Sequence, residues 1–493
     1  MNLRIRRVTG ILLICYTLLF IQLNVVQIVR ADTYRENPAN TRDIVREFTE
    51  ARGTIRTGDG VVVALTVDVP GELERLREYP HGGLYAHLTG WFSLNYGATG
   101  LERQYHDVLA GTDAEIELQS VTDLFVDRDR TADLNLTIDH DVQRIARAAI
   151  GDREGAVVAI DTQTGAILAM YSFPTYDPGL FSSHDLRQVQ EDRFTLVEDE
   201  TDPLVSRAHA TRTPPGSTFK VVTAAAAIDA GYATATSPVY EPTDGYVPPQ
   251  TDRPIGNFGG STCGGDLLEM MRVSCNTGIA EMAVGLGAGP LIRTAHEFGF
   301  NDDPMLDLDG VVESVTPPID FFDDNIPLLA QSAIGQFEVA ATPLQMAQVA
   351  AAVANDGVMM RPYLVESIVD SDGRTIETTE PEVAGTPIEF ETALALQEMM
   401  ELTAASGTAT GLAFDGVAVA GKTGTAESGD APTDAWIIGY APAEQPRVAV
   451  AVMLSGEWVA QDLTGALHAA PVGRAVLQAA LEALGVVDLD SGS

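Results

Sequence analysis

The stretch Thr213-Pro214-Pro215-Gly216-Ser217-Thr218-Phe219-Lys220, followed by the apolar run from Val221 to Ala230, constrains this chain more than any other. Pro-Pro-Gly interrupts regular structure and the Ala/Val run builds helix, so Ser217 is expected at or just before a helix N-terminus. Lys220 then lies one turn on, and an i, i+3 pair shares a helix face. Eight of the ten residues from Val221 to Ala230 are Ala, Val or Ile, so the helix reads as buried and its lysine as desolvated. Desolvation lowers a lysine pKa.

A lysine that takes a proton near neutral pH must come down from ~10.4 toward ~7 to 8, a shift of about 3 to 4 kcal/mol that burial and a second cation can supply. The chain holds only two lysines, Lys220 and Lys422, among 30 Lys and Arg residues, leaving 30 − 2 = 28 arginines. Arginine does not lose its proton in a protein. A chain that uses arginine everywhere else reserves its two lysines for chemistry.

A length of 493 residues, 45% hydrophobic and 20% charged, fits two or three globular domains. The net charge of −40 excludes nucleic acid as a partner, because phosphate would be repelled. Residues 8–29 are apolar and long enough to span a bilayer, after a cytoplasmic tail of residues 1–7 in which Arg4, Arg6 and Arg7 place the N-terminus in the cytoplasm. A cleaved signal peptide ending near Val29-Arg30-Ala31 is the competing reading, disfavoured by length. With Cys15 in the membrane, Cys263 and Cys275 lie in an oxidising compartment 12 residues apart, which motivates a disulfide between them worth about 3 kcal/mol.

Residues 31–150 read as a structural or interaction domain. It has a polar helical start at 41–48, a hairpin turn at Gly58-Asp59-Gly60, a strand over 134–139 and a helix over 142–150. A second domain spans 151–488. It opens with two apolar strands, 155–161 and 166–171, and has a surface excursion from 177 to 215 and helices over 266–273, 277–286 and 343–354. It closes with strands at 417–425, 436–440 and 448–454 and a last helix over 471–484. The fold class is α+β, an antiparallel sheet covered by helices.

Ser-x-x-Lys at 217–220, Ser-x-Asn at 274–276 and Lys-Thr-Gly at 422–424 occur in that order, 57 and then 148 residues apart. Each is common alone. All three in order, at a helix start, an inter-helix loop and a strand, point to acyl transfer by an activated serine. On these residues the chain resembles the penicillin-binding proteins, and within them the class B transpeptidases with an N-terminal membrane anchor. Arg52-Gly53-Thr54-Ile55, Arg77-x-Tyr79-Pro80, Gly100-Leu101-Glu102, Gly335-Gln336 and Thr342-Pro343-Leu344-Gln345 look like further class B signatures.

The resemblance implies a penicillin-binding transpeptidase fold preceded by an elongated pedestal domain, and a D,D-transpeptidase that cross-links peptidoglycan stem peptides and binds β-lactams. Ser217 would be the nucleophile, Lys220 its base, and Ser274 and Asn276 a proton relay and a hold on the substrate amide. Lys422 would supply positive potential for the substrate carboxylate and keep Lys220 neutral. Thr423 would bind that carboxylate, Gly424 would let the substrate lie along the strand edge, and the backbone N–H groups of Ser217 and Thr425 would form the oxyanion hole. A glycan polymerase or a division or elongation complex is the implied protein partner, in the plasma membrane, with neither cofactor nor metal. Two departures from the pattern stand out: Cys275 inside Ser-x-Asn, and Thr57-Gly58 where many class B members carry Asp-Arg.

A D,D-carboxypeptidase shares the acylation residues, and a scaffold of the division or elongation machinery with secondary catalysis is a reading from a different class. A β-lactamase is disfavoured, because Glu297-Phe298-Gly299-Phe300-Asn301 reads as a helix end rather than a deacylation loop. A β-lactam sensor would need further membrane spans. His209, near Ser217, reads as a surface or loop residue, and Trp436 and Tyr440 as sheet packing.

Overall fold

The computed structural model describes residues 2–25, 47–71, 73–112, 130–428 and 431–487. The chain divides into two compact units, Met1–Ala51 with Asp68–Leu76 and Arg52–Val67 with Arg77–Ser493. In the first, one helix runs from Asn2 to Asn24, so the residues expected as a separate tail continue the helix. Its segment Ile5–Asn24 is 20 residues long. At 1.5 Å per residue that reaches about 30 Å, the thickness of a bilayer's hydrocarbon core. Apolar side chains from Ile5 to Leu23 are exposed around the whole helix, a distribution suited to lipid. Residues 26–29 of the expected span and 41–46 of the expected helix lie outside the described residues.

The second unit is built on a five-stranded antiparallel sheet in the order Ala420–Ser428, Ala431–Ala441, Val448–Leu454, Gly155–Asp161, Ile167–Phe173. Every residue of Gly155–Asp161 and Val448–Leu454 is buried, so both faces are covered. Their unbroken Val/Ala/Ile sequences are what such a position requires. Pro343–Ala354, almost wholly buried, packs on one set of these strands, and His140–Ile150 packs on the C-terminal helix Ala470–Ala483. Trp436 and Tyr440 are buried within the sheet. The excursion at 177–215 contains a twelve-residue helix, Leu186–Val197, whose first turn is capped by the Asp185 carboxylate.

A second sheet organises the pedestal. Ile55–Arg56 pairs antiparallel with Val62–Asp68 across the Gly58–Gly60 turn and parallel with Ala132–Leu136. Its remaining strands come from far along the chain: Val365–Asp370 pairs with Ala132–Leu136, and Thr375–Thr378 pairs with Val365–Asp370. At the departure noted above, the Gly58 amide donates to Ile138 O at 2.9 Å. A Cβ there would sit 3.0 Å from Leu136 O, so the turn is pressed against the neighbouring strand.

Three of the class B signatures meet in one place. Glu102, fully buried, accepts from Arg52 Nε at 2.6 Å and Arg77 Nε at 2.7 Å, and Tyr79 donates its hydroxyl to the same carboxylate at 3.3 Å. Burial pushes the Glu102 carboxyl up, but Arg77 and Arg52 outweigh it and hold it below the usual carboxylate range. Removing one partner of such a cluster leaves a buried charge, a loss of about 3 to 5 kcal/mol.

Candidate active site

The turn that carries Ser217 is shaped by its glycine. Gly216 has φ +53°, a conformation that side chains rarely adopt, and its amide donates to Gly335 O at 2.9 Å. The chain makes one tight turn over Gly216–Phe219, closed by Thr218 Oγ1 donating to Pro215 O at 2.7 Å, and then continues as the α-helix Lys220–Asp229. Ser217 is half-buried and Lys220 fully buried. Gly335, from the Gly-Gln signature, has φ +73° and packs its Cα against the Gly216 carbonyl, so a side chain there would displace the turn.

The second motif joins two helices. Asp266 caps Leu267–Arg272 by accepting from Glu269 N at 2.9 Å, and Asn276–Leu286 follows. Ser274 between them has φ +59°, a left-handed conformation that costs about 1 to 2 kcal/mol for a residue with a Cβ. The strained turn presents both its carbonyl and its hydroxyl to the lysines. Asn257, from a distant loop, caps the second helix: its Oδ1 accepts from Asn276 N and Thr277 N, each at 3.0 Å. Cys263 and Cys275 are joined by a disulfide, tying the same loop to the strand Cys263–Gly265.

The third motif lies on the edge strand Ala420–Ser428, with Lys422 fully buried. Gly424 faces the Ser217 turn, where a Cβ would meet Pro215 O at 2.7 Å, Trp436 Cβ at 2.9 Å and Thr218 Cγ2 at 3.0 Å. A Cβ on Gly216 would likewise sit 2.5 Å from Thr425 O. Paired glycines thus let the strand and the serine turn touch through their backbones.

Four of the five side chains named from the motifs converge. Lys220 Nζ donates to Ser274 O at 2.7 Å and Asn276 Oδ1 at 2.6 Å, with Ser274 Oγ at 3.4 Å. Lys422 Nζ donates to Ser274 Oγ at 2.7 Å and Thr423 O at 3.0 Å. Ser274 Oγ therefore stands between two amines. The Ser217 hydroxyl has no protein hydrogen-bond partner among the described residues, and such bonds tighten in many enzymes only when substrate arrives. Burial, then the neighbouring Lys422 charge, pushes Lys220 well below the ordinary lysine value, while burial alone brings Lys422 to about 7. Neutral Lys220 has two N–H donors, which Ser274 O and Asn276 Oδ1 accept, and a free lone pair.

Of the residues expected to bind substrate, Thr423 is 6% exposed and its hydroxyl bonds to Thr408 Oγ1 at 2.6 Å. Thr408 and Asn257 escape sequence reasoning, because each acts across a long chain separation and neither sits in a pattern. His209 is not a surface residue. It is buried, bonded through Nδ1 to Ser206 Oγ at 3.0 Å, and kept neutral by burial and by His87, which bring it to about 3. The segment packs inward because Ala208 O accepts from Leu344 N. Glu297 ends the helix Ala288–Glu297, and the Asn301 amide is taken up by Thr316.

A buried amine pair bridged by one serine, set beside a serine turn and an antiparallel edge strand, defines a serine acyl-transferase of the penicillin-binding class. The chain belongs to the penicillin-binding protein transpeptidase family: residues 155–478 match the penicillin binding protein transpeptidase domain, and residues 52–133 the penicillin binding protein A dimerisation domain. It is 40% identical over 495 residues to the peptidoglycan D,D-transpeptidase PbpA of Mycolicibacterium smegmatis, covering 98% of this chain and 99% of that one. It is 36% identical over 497 residues to PbpA of Mycobacterium tuberculosis, with the same coverage. Its fold matches the ceftriaxone acyl-enzyme complex of penicillin-binding protein A from M. tuberculosis with a TM-score of 0.83 at 37% identity, over 89% of this chain and 100% of that one. The penicillin G acyl-enzyme of the same protein gives 0.81 at 37% identity, over 88% and 100%.

Proposed function

We propose that the protein is a membrane-anchored peptidoglycan D,D-transpeptidase that cross-links stem peptides through an acyl-enzyme on Ser217, and that β-lactams acylate the same hydroxyl. The observation that carries this reading is the Lys220 amine, buried with no carboxylate partner among the described residues and held by Ser274 O and Asn276 Oδ1 one turn from Ser217. The relatives named D,D-transpeptidases, and the acyl-enzymes of the M. tuberculosis protein, support it.

Ser217 Oγ passes its proton to the Lys220 lone pair and attacks the carbonyl carbon of the penultimate D-Ala. The negative oxygen is met by the backbone N–H groups of Ser217 and Thr425, and losing one such donor typically costs ~10² to 10³ in rate. Collapse breaks the peptide bond. The leaving D-Ala nitrogen takes the proton back from Lys220 through Ser274, which accepts from Lys422 and so has its own proton to give. An acceptor amine then attacks the ester by the reverse proton path. A β-lactam acylates identically, but its leaving nitrogen stays tethered and blocks the acceptor. Lys422, when charged, and Thr423 receive the substrate carboxylate.

The helix Asn2–Asn24 holds the enzyme in the plasma membrane with Arg4, Arg6 and Arg7 on the cytoplasmic side and the catalytic unit outside. The pedestal region offers a docking face for a glycan polymerase or a division or elongation complex. A fluorescent penicillin should form one adduct per wild-type chain and none with Ser217→Ala. A donor peptide ending in D-Ala-D-Ala, supplied with an acceptor amine, should give a cross-linked product by mass. Absence of label overturns the acyl-transfer reading, and hydrolysis alone in the presence of acceptor makes the enzyme a carboxypeptidase.

A further inference from the structure

We infer that Thr408 is a positioning residue for carboxylate recognition, fixing the hydroxyl of Thr423 and clasping the second motif to the third; the inference rests on the acyl-transfer reading above. Thr408 and Thr423 hydroxyls lie 2.6 Å apart, and neither bonds to any other side chain among the described residues. Two hydroxyls in contact share one of their two protons and leave the other free. Whichever residue donates inward, the pair offers a single outward O–H, polarised by its neighbour. An anion beside Lys422 is the group that such a proton suits, since Lys422 is joined to Thr423 through its carbonyl.

Thr408 is itself held from the other motif. Its amide donates to Arg272 O at 3.2 Å, and Arg272 Nη1 donates to Ser406 O at 2.9 Å. Arg272 is anchored by Glu269, with both guanidinium contacts at 2.7 Å, and stands two residues before Ser274. Gly407 has no room for a side chain, because a Cβ there would overlap Arg272 O. The path Ser274, Arg272, Thr408, Thr423 and Lys422 therefore closes a ring, in which the step from Thr408 to Thr423 rests on a single hydroxyl contact.

The ring assigns Thr408 an effect on ligands that carry a carboxylate and little effect on the acylation step itself. The test is stopped-flow acylation of the full chain in detergent by benzylpenicillin and by its methyl ester, resolving the apparent dissociation constant K from the limiting rate k2. Thr408→Val should raise K for benzylpenicillin about tenfold, the value of one hydrogen bond to a charged group, with k2 within about threefold of wild type. Thr408→Ser should restore K, and the ester should not distinguish Thr408→Val from wild type. Wild-type K in Thr408→Val, or an equal loss with the ester, overturns the inference. Should Thr408→Val fail to fold, Thr408→Ala against Thr408→Ser decides on the same readouts. Failure of wild type to be acylated at Ser217 would instead refute the acyl-transfer reading, so the two are separable.

Discussion

Replacing Lys422 with methionine should abolish activity and yet stabilise the protein. Burial brings the Lys422 amine from 10.5 to about 7. That difference, 10.5 − 7 = 3.5 units, is worth about 5 kcal/mol against folding when the amine is charged, and about 4 kcal/mol at pH 7, where half is already neutral. Methionine has a similar length and carries no charge; Ser274 Oγ keeps Lys220 Nζ at 3.4 Å, while Thr423 O loses the Lys422 donor, which costs about 1 to 3 kcal/mol. The variant should therefore gain about 1 to 3 kcal/mol near neutral pH.

The pH dependence makes the test sharper. A lysine whose folded pKa is lowered is protonated in the unfolded chain and not in the native one, so stability rises with pH between the two values. Lys220 and Lys422 both behave this way, giving wild type a slope of up to about 2.7 kcal/mol per pH unit, which Lys422→Met should reduce to about 1.4. The window of pH 7.5 to 8.5 lies above the titrations of His87, His209 and Asp434, at about 4, 3 and 6, and below the value of 10.0 at which tyrosines ionise in the unfolded chain. Denaturant unfolding of the detergent-solubilised chain, followed by tryptophan fluorescence at both ends of the window, measures both quantities. A variant less stable than wild type at pH 7.5, with the wild-type slope intact, refutes the reasoning.

With benzylpenicillin, k2/K should rise with pH as Lys220 loses its proton and fall above about 7 as free Lys422 loses its charge, while k2 keeps its plateau to higher pH because the bound carboxylate retains the Lys422 proton; a flat k2/K from pH 5 to 9 contradicts this. Gly424→Ala puts a Cβ against Pro215 O and Trp436 Cβ, and should cost about 1 to 3 kcal/mol in denaturant unfolding and slow penicillin labelling by roughly a hundredfold. Cys275→Ser should lower stability by about 3 kcal/mol and slow labelling, because the bond ties down the residue next to Ser274; a reductant should do the same to wild type and nothing further to the variant.

What could be read from the residues beforehand divides along physical lines. That Lys220, Ser274, Asn276 and Lys422 come together was legible because the three motifs admit few residue types, and two lysines among 30 basic residues stand out. The strands 155–161 and 448–454 were legible because burial on both faces demands continuous apolar sequence. Thr408 and Asn257 were not, since a threonine hydroxyl or an asparagine amide in a loop looks the same whether it faces water or a helix end 19 residues away. Val365–Asp370 was hidden for another reason: pairing partners in a sheet leave no mark on each other's sequence when some 230 residues intervene. His209 does lie in a turn, but its burial was not legible, because its neighbours Ser206 and Arg207 are polar and their polarity serves buried hydrogen bonds instead of solvent.

The strand Val365–Asp370 also bears on how this chain can be cut. A soluble fragment trimmed to begin at residue 151 would look complete by its motifs and still carry a raw margin, because Ala132–Leu136 would be gone while its partner remained. Unpaired N–H and C=O groups along that margin invite a second molecule to dock by strand addition. Truncations that keep residue 52 onward should stay monodisperse where shorter ones precipitate, and a chimera exchanging the pedestal for another must exchange residues 365–378 as well.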